Sequence, residues 1–323
     1  MSRTPRAVFA TTLLLLTFVG YADAQEFPAK PVRFVVPFPP AGPNDLVVRL
    51  IAPKLQELVG QPFIVDNRAG ANGIIGSEQV AKSAPDGYTL LVISSSFTIN
   101  PSTYAKLPFD PIRDFTVVTS LATSDIIFAV NPTVPARSVK EFVALAKSRP
   151  GKLTFSSSGN GGSLHLGAEL LKMSAGIDML HVPFKGAALA LNDVIAGHVD
   201  SMFIAAPPAI PQVKAGKARV LAVASARRAP SLPDAPTFAE AGFPDVRVDS
   251  RYGILGPAGV PAAVVTRLHA LIAKVLAIPE VRSQYAALGL EAAAMTTQEY
   301  AAYLREDVAR WRKVVAAAKI PAQ

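Results

Sequence analysis

Four stretches gather the residues that could hold an anion without a cation. The first is Pro37, Phe38, Pro39, Pro40, Ala41 and Gly42, running into Asn44 and Asp45; the second is Asp66 to Gly73, containing Asn67. The third is Ser94, Ser95, Ser96, Phe97 and Thr98; the fourth is Ser156, Ser157, Ser158, Gly159, Asn160, Gly161, Gly162 and Ser163. The apolar run Arg33 to Val36 ends at the first, and an amphipathic pattern from Asn44 to Val59 follows it directly. The first amides of a helix have no intrahelical partner and lie at the positive end of its dipole, so a strand-loop-helix unit offers donors to a carboxylate or phosphate. Asn44 or Asp45 suits the cap and Pro43 the first turn.

Groups for catalysis are missing from the same loops. His165, His181, His198 and His269 are far apart in sequence and form no metal motif, which reads as packing or surface histidine. Ser156 to Ser158 have no recognisable base and no Gly-x-Ser-x-Gly elbow surrounds them. Gly70, Gly73 and Gly76 repeat every third residue, matching neither a dinucleotide fingerprint nor a phosphate loop. Amides and hydroxyls without an acid-base pair point to binding, with no enzymatic activity and no metal or cofactor.

The elements that must present these loops alternate. Strands are expected at Pro31 to Val36, Pro62 to Val65, Tyr88 to Ile93, Ile126 to Val130, Leu153 to Phe155, Val199 to Ile204 and Arg219 to Ala224. Helices lie between them, from Asn44 to Val59 around Pro53, through Lys82, and from Val139 to Lys147, while Pro207 and Pro208 read as helix breakers. Thr296 and Glu299 form a capping box, after which Tyr300, Leu304, Val308, Trp311 and Val315 fall at helical spacing, making Trp311 a core residue. This order predicts an α/β fold whose mostly parallel sheets are flanked by helices, with ligands at the carboxyl ends of the strands.

Composition sets the compartment and the number of lobes. Arg3 and Arg6, the apolar run Ala7 to Val19 and Ala22-Asp23-Ala24 have the three regions of a cleaved secretory signal, predicting a periplasmic chain that starts near Gln25. The apolar run is shorter than the roughly 20 residues of a membrane span. The 323 residues exceed what one core usually supports, and the absence of cysteine excludes disulfides, thiolate metal sites and a catalytic thiol. The net charge of +8 falls to +7 without Arg3, Arg6 and Asp23, and its scatter along the chain argues against a nucleic-acid partner.

The motifs Val36-Pro-Phe-Pro-Pro-Ala-Gly-Pro-Asn-Asp45, Val65-Asp-Asn-Arg-Ala-Gly-Ala-Asn-Gly73, Asp86-Gly-Tyr-Thr-Leu-Leu91, Ser157-Ser-Gly-Asn-Gly161, His181-Val-Pro-Phe-Lys-Gly186, Leu232-Pro-Asp-Ala-Pro-Thr237 and Gly256-Pro-Ala-Gly259 occur in order along the chain. Together they resemble the solute-binding receptors of tripartite tricarboxylate transporters. The resemblance implies a two-lobed periplasmic binding protein, monomeric, that closes on a small carboxylic acid and delivers it to a membrane permease. In that family the loop matching Pro37 to Asp45 holds one carboxylate, partly through water, and loops matching Ser94 to Thr98 and Ser156 to Gly162 complete the site. The expected lobes are residues 25–124 with 249–323, carrying the first and third stretches, and residues 125–248, carrying the fourth and Asp200. The chain would cross near Ala122 to Ser124 and Val248 to Arg251.

Departures from the family pattern bear on the ligand. Ala41 and Asn44 stand where the family commonly has glycine and threonine, and hydroxyls common in the family are replaced at Gly162 and Leu164. Arg251 stands at a usually aromatic position; facing the cleft it would pair with a second carboxylate, and otherwise it is a surface arginine near the hinge. Phe38, Phe97 and Phe184 are candidate apolar walls or core. The acid stays open among dicarboxylates, tricarboxylates, aromatic acids and acidic amino acids, and a ligand sensor or a periplasmic hydrolase are the alternative roles.

Overall fold

The computed structural model describes residues 27–317. The expected signal, Arg3 to Ala24, lies outside them.

The apolar runs become strands with the anion loops at their ends. The first part of the chain contains β1 (Val32–Val36), α1 (Pro43–Val59), β2 (Phe63–Asn67), a 3-10 turn (Ala71–Gly73), α2 (Ile74–Ala81), β3 (Thr89–Ile93) and α3 (Ser95–Thr103). β1 pairs in parallel with β2 and β3. Both faces of this sheet are covered, and alternation assigns each side chain. Phe34, Val36, Leu90 and Val92 enter a core with Val47, Val48 and Ile51 of α1. Val35, Leu91 and Ile93 point the other way, toward Phe97 of α3.

The long strand β4 (Phe115–Val130) then leads into α4 (Val139–Ser148), β5 (Thr154–Ser157), α5 (Ser163–Ala175), β6 (Leu180–Pro183), α6 (Ala187–Ala196), β7 (Ser201–Ala205), α7 (Ala206–Lys214) and β8 (Arg219–Val223). β5 pairs in parallel with β6 and β7. Phe128, Phe142, Phe155, Phe203 and Phe238 anchor the core of this part, with Phe128 meeting both Phe142 and Phe203 at 4.9 Å between ring centroids. α7 forms despite Pro207 and Pro208 because they occupy its first turn, where a missing N–H removes no helical bond.

β9 (Asp249–Pro257), α8 (Ala262–Leu276), α9 (Pro279–Ala287), β10 (Leu290–Ala292) and α10 (Thr297–Ala317) complete the fold. The sheet runs β2-β1-β3-β9-β4-β7-β5-β6, with β8 and β10 also on β4. It is mixed, because β9 is antiparallel to β3 and β4, and β4 is antiparallel to β7, β8 and β10. Up to Asp125, β4 pairs with β9; from Ile126 it pairs with β7 and β8. One strand therefore serves both halves of the sheet, a span that the run Ile126 to Val130 alone did not reveal.

The capping box forms as expected: the amide of Glu299 donates to Thr296 Oγ1 and the amide of Thr296 donates to Glu299 Oε2. Trp311 is buried in the core of the second half, whereas Tyr300 and Leu304 lie in that of the first. α10 thus straddles both halves, so the segment expected to belong wholly to the first lobe does not stay with one core.

Candidate functional site

Five helices begin around one point between the two halves. A cavity of about 30 Å³ is lined by Pro43 and Asn44 of α1, Ser94 and Ser96 at the start of α3, Ser163 and Leu164 of α5, Ala187 of α6 and Ala205 before α7, with Phe38, Ser158, Ser250 and Tyr252 closing it. None of the preceding residues, Gly42, Ser94, Gly162, Gly186 or Ala205, caps its helix with a side chain. The helices start at this point with the positive ends of their dipoles, although Pro43, Pro207 and Pro208 carry no N–H and the Ser163 amide donates to Ser96 Oγ at 3.5 Å; no lining side chain carries a charge. Such a surface suits an oxyanion, met by dipoles and hydroxyls. A separate groove of about 690 Å³ runs past Asp125, Arg227 and Glu291, and no helix starts in its lining.

The first anion loop is held from behind. Asp45 does not cap α1, whose cap position is Gly42. Its carboxylate turns back, accepting from Ala41 N at 2.9 Å, Asn67 Nδ2 at 3.0 Å and Arg49 Nε at 2.7 Å. Burial pushes this carboxyl up, but those three donors outweigh it and hold it below the usual value. Asn67 also donates to Phe38 O, so it ties down the loop from β2. Asn44 is likewise no cap, donating to Val92 O at 3.2 Å. Ala41 sits at φ 62°, a left-handed conformation that the glycine common in the family adopts without strain. Pro40 and Ala41 are exposed, while Pro37 packs near Gly73 and Gly76.

Ser94 to Thr98, expected as a loop, is the start of α3. Ser94 and Ser96 line the cavity, but Ser95 Oγ accepts from Arg251 N at 3.1 Å and Thr98 Oγ1 donates to Asp307 at 2.6 Å on α10. Ser94 precedes the helix in extended backbone, and within α3 a step of one or two residues turns a side chain away from the face that Ser96 presents. Phe97 packs with Phe109 and Phe115 in the core, so it is no ligand wall.

The fourth stretch divides in the same way. Ser158 reaches the cavity; Ser156 is fully buried and donates to Ala190 O. Ser157 Oγ lies 2.7 Å from His181 Nε2, the partner that sequence spacing hid because His181 comes from the neighbouring strand β6. His181 stacks on His165 at 4.1 Å and on Phe155 at 4.7 Å between ring centroids. Burial, with a smaller electrostatic effect of His165, lowers its pKa to about 4. Gly161 N donates to His165 Nδ1 at 3.0 Å, tying the loop to this stack. Ser157 is fully buried, which makes it a strut of the loop.

This loop meets the opposite half closely. Gly161 O accepts from Thr103 Oγ1 and Asn160 O from Tyr104 Oη, each at 3.0 Å. A Cβ at Gly162 would stand 2.6 Å from Asn72 Oδ1, and one at Gly186 would stand 2.6 Å from Pro39. Phe184 joins only through its amide, bonded to Ser157 O at 3.0 Å, and packs at the edge of the core.

Two expected residues lie away from the site. Asp200 accepts from Thr154 N at 2.7 Å and Thr154 Oγ1 at 2.8 Å, at the far end of β5 and β7 from Ser157 and Ala205. Five residues of strand separate it from Ala205, roughly 16 Å. Arg251 faces α10, with its guanidinium 4.8 Å from the Tyr303 ring and Nη1 3.6 Å from Met295 Sδ. Alternation along β9 gives the cavity to Ser250 and Tyr252 instead, which the sequence reading missed.

Comparison with known proteins bears on this arrangement. Residues 47–320 match the family model described as the tripartite tricarboxylate transporter family receptor. A protein encoded in the tcbD–tcbE intergenic region of Pseudomonas sp. strain P51 is 38% identical over 90% of this chain and 86% of its own. The R. palustris protein Rpa4515, solved with adipate, superposes with a TM-score of 0.89 at 34% identity, covering 92% of this chain and 100% of that one. MatC from Rhodopseudomonas palustris, solved with bound malate, gives 0.85 at 31% identity, covering 90% and 100%.

Proposed function

Because the chain belongs to the tripartite tricarboxylate transporter receptor family, we propose that it captures a small organic carboxylate in the cavity between its two halves and hands it to a membrane permease of that transporter type. The family consists of periplasmic solute-binding receptors. The observation that carries the reading is the convergence of five helix starts on a cavity with no charged side chain. A carboxylate there gains dipole stabilisation and hydrogen bonds together. The relatives solved with adipate and malate support an acid as the ligand class.

In this reading the two halves are lobes joined by β4 and β9, with the switch of pairing at Asp125 and Ile126 as hinge. The ligand-reading residues are Phe38, Gly42, Asn44, Ser94, Ser96, Ser158 and Gly162, and the chain reaches the periplasm through removal of its leader near Ala24. A ligand favours the closed form only by touching both lobes, which the cavity lining provides.

A thermal-shift screen against dicarboxylates, tricarboxylates, aromatic acids and acidic amino acids tests the proposal. A ligand at a hundred times its Kd stabilises the folded form by about 2.7 kcal/mol, a rise of several degrees. A flat response to every acid at millimolar concentration would overturn it.

A further inference from the structure

Beside the cavity lies a buried polar group without a partner in the protein. Tyr252 is 1% exposed, and its hydroxyl is buried without a hydrogen-bond partner. The Ser250 and Ser124 hydroxyls stand near it, out of hydrogen-bonding geometry. Tyr285, a comparably buried ring, donates to Val47 O at 2.7 Å, while Trp311 Nε1 shares the unpartnered state but lies in the core away from the cavity. An unmet buried hydroxyl costs stability, so its retention where five helices begin points to a ligand.

We propose that Tyr252 reads the buried end of the ligand, donating its hydroxyl hydrogen to one oxygen of a carboxylate whose other oxygen takes the helix amides. This rests on the carboxylate-receptor reading above. Burial pushes the phenol well above its ordinary pKa, against a smaller opposing effect of Ser250 and Ser124, so the hydroxyl keeps its proton and acts as a donor. The space limits the end of the ligand that enters it. At about 30 Å³ the cavity holds roughly two waters or one compact end group, which suits the carboxylate end of a slim acid. β9 supplies the geometry, since it sends Ser250 and Tyr252 to the cavity and turns Arg251 and Gly253 to α10, where a Cβ at Gly253 would stand 2.3 Å from Tyr300 Oη.

Titration calorimetry of wild type and Tyr252→Phe with malate, adipate, citrate and benzoate, beside melting curves without ligand, tests this. The hydroxyl has no partner to lose, so the unliganded variant should melt at the wild-type temperature or slightly above. Its affinity for the best-bound acid should fall about 10- to 100-fold, the worth of a hydrogen bond to a charged group. With a monoamide of that acid the variant should lose less. Binding within twofold of wild type overturns the inference and leaves the receptor reading standing. A lower melting temperature with equal losses for acid and amide also overturns it, assigning Tyr252 to packing. If wild type binds neither these four acids nor any acid of the thermal-shift screen, the carboxylate reading falls and takes this inference with it.

Discussion

Replacing Gly162 by alanine isolates the contact between the two halves from the stability of either. Gly162 sits at φ −84° and ψ 173°, ordinary extended backbone, so alanine brings no backbone strain. Its Cβ would stand 2.6 Å from Asn72 Oδ1, 2.8 Å from Nδ2 and 3.1 Å from Cγ. Contacts between such atoms normally lie near 3.5 Å, so relief requires a movement of roughly 1 Å. Asn72 cannot yield freely: its Nδ2 donates to Asn100 Oδ1 at 2.8 Å, and Asn100 Nδ2 donates to its backbone oxygen at 3.2 Å. Overpacking of this kind costs about 1–3 kcal/mol. If the loops must meet to hold ligand, that cost falls on the closed form and weakens binding by roughly 5- to 150-fold. Calorimetric titration with the acid found in the screen measures it, and melting of the unliganded variant should change little. Asn72→Ala in the same chain should restore most of the affinity by removing the opposing atoms. Wild-type affinity in the single variant, or no recovery in the double, refutes the idea that binding depends on this contact.

Further outcomes follow from the loops and the histidine stack. Ala41→Gly removes a left-handed alanine worth about 1–2 kcal/mol of strain but adds up to about 1 kcal/mol of unfolded-chain entropy, so the melting temperature should rise by roughly a degree or two; a fall would count against strain at φ 62°. Asp45→Asn keeps the shape of the side chain but sets an amide against donors from Ala41, Asn67 and Arg49, and should cost about 2 kcal/mol, roughly 3–4 °C in calorimetry. Acid should weaken the fold through His181. Its native pKa of about 4 lies below the unfolded value of 6.5, so between these values the unfolded chain binds a proton that the native protein refuses. This contribution is present above pH 6.5 and is lost as pH falls toward 4. His181→Phe should therefore show a smaller drop in melting temperature from pH 7 to pH 5; an unchanged drop would assign the acid sensitivity elsewhere.

The strands and helices were legible because their causes are local. Apolar alternation and runs marked β1, β3, β5 and β7 within a residue or two, and Thr296 with Glu299 announced α10 in a box that the structure closes. The stretch Pro37 to Asp45 was legible as a helix start for the same reason, whereas Ser94 to Thr98 read as a loop and proved to open α3. Pro207 and Pro208 misled, since their effect depends on whether the helix starts before or after them.

By itself, then, the sequence determined which elements form, that several anion-friendly helix starts exist, and which family the motifs resemble. Tertiary structure decided which side chains of those stretches face one another. One residue along β9 separates Tyr252 in the cavity from Arg251 on α10, and two along α3 separate Ser96 in the cavity from Thr98 on Asp307. His181 meets Ser157 only because β6 lies beside β5, 24 residues away in the chain. Pattern sets the period of a strand or helix, while its phase against the rest of the molecule is set by packing between segments remote in sequence, and binding chemistry depends on phase.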